Sequence, residues 1–120
     1  MSKKRSTSGC LKIIEEEHVP MYDHLVSFKF KQKLDAEKEQ ALIETLLSFK
    51  NLIPGIVEIT AGVNVTEEVD NIQGYTLGLR VTFENQEALQ QYGPHPAHQQ
   101  FVQSLAGLVD NVIVIDYPIK

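Results

Sequence analysis

Residues 22–31 alternate. Tyr22, His24, Val26, Phe28 and Phe30 share one face, and Asp23, Ser27, Lys29 and Lys31 share the other, with Leu25 as the one apolar residue there. A period of two predicts a strand half-buried on its aromatic face. The pattern then turns helical. Asp35 suits an N-cap, Glu37 lies near the positive end of the helix dipole, and Leu42, Leu46 and Phe49, flanked by Ile43 and Leu47, form an apolar stripe. The helix is expected from about Ala36 to Lys50, and Pro54-Gly55 forces a turn. Alternation resumes over Ile56 to Val65, with Val57, Ile59, Ala61, Val63 and Val65 on one face. Residues 66–73 are acidic and weakly patterned, which reads as a loop or a single helical turn. Tyr75, Leu77, Leu79, Val81 and Phe83 give a third strand.

Asn85 predicts the N-cap of a short helix over Gln86 to Tyr92, closed by Gly93. Pro96 fits the first turn of another helix, whose stripe of Phe101, Val102, Leu105 and Leu108–Val109 extends it to Val109. Val112-Ile-Val-Ile115 is a short continuous apolar run, read as a strand buried on both sides. The order is βαββαβ. That is an α+β, ferredoxin-like arrangement: a four-stranded antiparallel sheet with its helices on one face. The other face then carries Leu25, Ile56, Ile113, Ile115 and Tyr117 among small or uncharged residues such as Ser27, Thr60, Gly62 and Gly78. An exposed apolar patch of that kind marks an interface, so a homodimer packed through the open sheet face is expected.

Composition narrows the classes. The chain has 120 residues, a formal charge of −5 and 42% hydrophobic residues, ordinary values for one soluble domain. The acidic balance argues against a nucleic-acid partner and gives no attraction to anionic membranes. A single cysteine, Cys10, excludes an internal disulfide framework and a Cys-based zinc cluster. No apolar run approaches the roughly 18 residues of a membrane span. Composition shifts near residue 20. Lys3, Lys4, Arg5 and Lys12 precede Glu15, Glu16 and Glu17, and Leu11, Ile13 and Ile14 are too few for a signal-peptide core. Residues 1–20 read as a flexible extension, or alternatively as an arm packing on a partner subunit through those three apolar residues. Residues 21–120 form the domain, and a cytoplasmic location is expected.

Several motifs together resemble a known family. His24-Leu-Val-Ser-Phe-Lys-Phe-Lys31, Ile53-Pro-Gly-Ile56, Gly74-Tyr-Thr76, Val81-Thr-Phe-Glu84, Tyr92-Gly-Pro-His-Pro-Ala-His98 with Phe101, and Val114-Ile-Asp-Tyr117 are similar, in order and approximate spacing, to the stress-responsive A/B barrel domain. The resemblance runs from about Tyr22 to Tyr117. It implies a dimeric α/β barrel of two ferredoxin-like subunits. Plant polyketide cyclases in that family perform an intramolecular aldol condensation without a cofactor, and no cofactor is expected here. By resemblance their catalytic pair falls on Tyr92 and His98, and a pocket histidine falls on His24. Another pocket histidine does not carry over, because Leu77 stands at its position. The same matching implies ligand contacts at Val26, Phe28, Leu42, Ile43, Leu46, Ile59, Leu77, Leu79 and Phe101.

The residues themselves support part of this chemistry. His98, in a helix's first turn, points with Phe101, Val102 and Leu105 toward the sheet. A helix N-terminus disfavours an imidazolium, and a neutral imidazole can accept a proton from an acidic carbon. Tyr92 would then orient that base or donate to a developing enolate oxygen. His24 reads either as a core histidine with a satisfied hydrogen bond or as a third polar group of the same cavity. His95 reads as a helix cap. His95-x-x-His98 lacks the further ligands a metal site needs, so no metal is assigned. Two classes of function follow: a barrel protein holding a small apolar molecule between sheet and helices, and a cofactor-free cyclase or lyase using His98 as base with Tyr92. A dimeric-barrel monooxygenase rests on fold analogy alone. A hollow of about 300 Å³ or more reaching His98 and Tyr92 would favour a ligand site. A space filled by Phe28, Leu77 and Phe101 would favour a purely structural role.

Overall fold

The structure, a computed structural model, describes residues 19–120. The expectations for the basic extension, and for Leu11, Ile13 and Ile14 as an arm, lie outside the described residues. The elements are β1 (Tyr22–Phe30), α1 (Ala36–Leu52), β2 (Ile56–Val63), a 3₁₀ turn (Val69–Asn71), β3 (Tyr75–Phe83), α2 (Gln86–Tyr92), α3 (Pro96–Ser104) and β4 (Val109–Pro118). The strands form one antiparallel sheet in the order β2-β3-β1-β4. This is the expected ferredoxin-like α+β fold.

Local chemistry sets the helix starts. The Asp35 carboxylate accepts from the Lys38 backbone N–H at 2.7 Å, and the Asn85 side chain accepts from Ala88 N–H at 2.8 Å. Between α1 and β2, Gly55 adopts φ +88°, and a Cβ there would stand 2.5 Å from the Ala88 Cβ. Only glycine both takes that turn and lets α2 approach this closely. The core lies between the sheet and the helices, with Leu46, Phe49, Leu77, Val81 and Phe83 almost completely enclosed.

Three expectations change. Ile56 belongs to the core, not the open face. The β2–β3 register pairs Ile56 with Phe83 and then Glu58 with Thr82, so Val57 is an extra residue. This bulge reverses the parity of β2: Ile56 turns inward and Val57 is left exposed. The second change is the length of α3. It stops at Ser104 rather than Val109, because Gly107 at φ +83° reverses the chain and lets β4 begin at Val109. Third, β4 is not buried on both sides. It is the edge strand and its apolar residues are exposed on both faces, Val114 by 50% and Ile115 by 55%.

The open face has two parts. Leu25 pairs with Ile115 and Ser27 with Ile113, an apolar strip over β1 and β4. Beside it lies a polar cluster. The Thr82 hydroxyl donates to the buried Asp23 carboxylate at 2.5 Å, and Arg80 donates to Thr82 at 2.7 Å and pairs with Glu58.

Candidate functional site

A hollow of about 430 Å³ opens between the sheet and α3. Its floor is the helix-facing side of β1 and β4. Val26 stands opposite Val114, and Phe28 opposite Val112, by strand register. Phe101, Val102 and Leu105 of α3 and the turn through Gly107 form the other wall. Its polar groups His24, Tyr92 and His98 are neighbours: the Tyr92 ring centroid is 4.5 Å from that of His98 and 5.3 Å from that of His24. A larger depression of about 630 Å³ on the open sheet face reaches none of these three.

Each polar group is held by a distinct local cause. Tyr92 ends α2 and is only 3% exposed, and burial pushes its phenol above the usual tyrosine range. The hydroxyl therefore keeps its proton at neutral pH and can serve as a donor. His98 sits in the first turn of α3, with Nδ1 3.1 Å from the Gly93 carbonyl oxygen. A carbonyl only accepts, so Nδ1 carries the hydrogen and Nε2 of the neutral ring carries the lone pair. Burial lowers the His98 pKa. The Gly93 hydrogen bond opposes that shift, and charge on His24 adds to it. A neutral imidazole with an available Nε2 can accept a proton from a bound molecule. His24 Nδ1 lies 2.6 Å from the Asp116 carboxylate, which faces it directly across the β1–β4 register.

The hollow brings together His24, Val26, Phe28, Leu46, Leu79, Tyr92, His98 and Phe101. Leu42, Ile59 and Leu77 do not line it, and neither does Ile43. The reason is lateral position in the sheet. α1 packs over β2, the strand farthest from β4, and of its residues only Leu46 reaches the hollow, while Ile59 stands on β2 itself. Leu77 faces Phe28 and Val63 from β3 and is 2% exposed in the packed core. Val102, Leu105, Val112 and Val114 were missed as wall residues. Placing Ile113 and Ile115 on the open face already implied that Val112 and Val114 face the helices. Asp116 was also missed, since nothing in the sequence gives the register that sets it opposite His24. His95 caps α3, its Nδ1 accepting from Ala97 N–H at 3.1 Å. Among the described residues, no three His, Cys, Asp or Glu side chains cluster to hold a metal, and no helix is long and apolar enough to cross a membrane.

Comparison with known proteins assigns the chain to a family and matches its fold. The family described as Stress Responsive A/B Barrel Domain matches over residues 23–119. A stress-response A/B barrel domain-containing protein of Arabidopsis thaliana is 36% identical over 105 residues, 87% of this chain and 94% of the relative. Olivetolic acid cyclase of Cannabis sativa is 31% identical over 94 residues, 78% of this chain and 92% of the relative. Among solved structures, a dimeric ferredoxin-like protein of unknown function from Jannaschia sp. CCS1 is 25% identical with a TM-score of 0.70, over 82% of this chain and 99% of that one. Hydroxynitrile lyase from Passiflora edulis shares the fold, with a TM-score of 0.73 at 19% identity, over 84% of this chain and 94% of that one.

Proposed function

The chain belongs to the stress-responsive A/B barrel domain family, and on that premise we propose that it is a homodimeric barrel protein that holds a small apolar molecule between its sheet and α3. The observation that carries this reading is the hollow itself. It has about 430 Å³ of space, within the usual range for small-molecule sites, with apolar walls and three polar side chains together. The dimer reading rests on the strip of Leu25, Ile113 and Ile115, which a single chain leaves in water. A dimeric relative at 25% identity supports it. Native mass spectrometry of the protein from its source should find a co-purifying small molecule, and sedimentation at micromolar concentration should find a dimer. An empty protein that takes up no apolar ketone, phenol or fatty acid would end the ligand reading. A species of monomer mass alone would end the dimer reading.

One observation favours a catalytic role. His98 is neutral, anchored through Nδ1, and 4.5 Å ring to ring from a protonated Tyr92. Nε2 of His98 would remove a proton from carbon next to a carbonyl, and Tyr92 or His24 would stabilise the enolate oxygen. A relative named as a cyclase, 31% identical, supports this class of chemistry. The test is turnover of a panel of poly-β-keto substrates. Wild type should convert at least one, and His98→Ala should lose that activity about a hundredfold or more. Equal turnover by the two proteins would retire the catalytic reading.

A further inference from the structure

The two imidazoles of the hollow are held alike at Nδ1 but by unlike partners. His98 meets a neutral carbonyl oxygen, Gly93, whereas His24 meets a carboxylate, Asp116. The second bond is the shorter, at 2.6 Å against 3.1 Å, and it joins residues that face each other across the β1–β4 register. Backbone pairing therefore sets the separation, and the side chains close it without a flexible loop. Of the pair, His24 is largely enclosed, with 13% of its side chain exposed, while Asp116 is 41% exposed. An ion pair with one partner this open contributes little to stability. What such a bond does control is ring orientation and tautomer.

We propose that Asp116 is a positioning residue of this hollow: it takes the Nδ1 hydrogen of His24, fixes that ring, and leaves Nε2 as the nitrogen His24 offers to a bound molecule. The proposal rests on the reading of the hollow as a ligand site and adds a second working imidazole to it. The partners also divide the labour. A proton accepted by His98 at Nε2 leaves a cation facing only a carbonyl, while one held by His24 at Nε2 faces the Asp116 carboxylate. The other titratable group facing the pair is Tyr92, which keeps its proton. For a bound ketone the step balances without any redox partner. His24 first takes a second proton from solvent at Nε2, the cation facing Asp116. His98 Nε2 then removes the proton from the carbon beside the carbonyl, His24 returns its Nε2 proton to the carbonyl oxygen and is neutral again with its hydrogen on Nδ1, and the product is the enol.

The test uses the full chain, labelled with ¹⁵N, as wild type, Asp116→Asn and His98→Ala. Two-bond ¹H–¹⁵N spectra report the tautomer of each histidine without any ligand. Wild type should show His24 with its hydrogen on Nδ1, and Asp116→Asn should lose that preference while His98 is unchanged. Deuterium exchange at C3 of 2-heptanone in D₂O then reports proton removal in the hollow. Asp116→Asn should slow it about tenfold at unchanged half-saturation, and His98→Ala should abolish it. Wild-type His24 carrying its hydrogen on Nε2, or an identical His24 spectrum in Asp116→Asn, overturns the positioning role. Normal exchange in Asp116→Asn overturns its functional half. Absence of exchange in wild type counts against the catalytic reading of the hollow, and the spectra still decide the placement of His24.

Discussion

The helix side of the sheet has two halves that share one strand pattern and end in different states. Over β2 and β3, which α1 covers from the β2 side, the alternating residues Leu77, Val81 and Phe83 are almost wholly buried in the core they share with Leu46 and Phe49 of α1. Over β1 and β4, the same alternation puts Val26, Phe28, Val112 and Val114 on the helix side, yet Val114 stays half exposed beside a hollow. The difference is helix length. α1 has 17 residues and α3 has 9, ending where Gly107 turns the chain back into β4. The cavity is thus a consequence of a helix that stops early, and the polar trio stands beside the space that it leaves.

Mutations should separate the two halves. Leu77→Ala, in the packed half, should destabilise the chain by about 2–5 kcal/mol and leave ligand affinity unchanged; chemical denaturation and a binding titration measure both. Gly55→Ala should cost at least about 1–2 kcal/mol, since it combines a left-handed backbone with a 2.5 Å approach to the Ala88 Cβ. Val114→Ala should change stability by less than about 1 kcal/mol, and Val114→Phe should block uptake of an apolar ligand in a chain that still folds. Loss of ligand binding in Leu77→Ala, or undisturbed binding in Val114→Phe, would reverse the assignment of the two halves.

The smallest expected effect is electrostatic. The folded-state pKa of His98 is lowered from its ordinary 6.5, chiefly by burial. The group stays neutral in the folded chain, so its contribution is intact above the unfolded value and is lost as pH falls through the lower folded value. Wild type should therefore lose stability relative to His98→Gln as pH is taken from about 7 to about 5, measured by melting temperature. A parallel decline of the two proteins would show that His98 is not desolvated. The same direction keeps Nε2 available as a base at neutral pH.

Most of the fold was legible because its signals are local. Alternation marked β1 and β3, and Asp35, Asn85 and Pro96 marked three helix starts. The errors arose where a local pattern is broken by pairing. Nothing around Val57 announces the bulge that turns Ile56 inward, and helical spacing continues past Ser104 although the chain has already turned. Of the candidate site, the polar grouping was legible: the structure brings His24, Tyr92 and His98 together. Its apolar wall was only half legible, because Leu42, Ile59 and Leu77 are as apolar as Val112 and Val114, and strand order alone decides which set meets the hollow. Asp116 depended on register between strands 92 residues apart in sequence, which no local signal encodes.

The central claim is that the two halves differ in what they can admit. Methyl-labelled protein titrated with 2-heptanone tests it directly by ¹H–¹³C spectra. Val102, Leu105, Val112 and Val114 should shift in a saturable way, with Leu77 and Val81 unmoved. Shifts confined to Leu25, Ile113 and Ile115 on the open face, or no saturable shift at all, would contradict it.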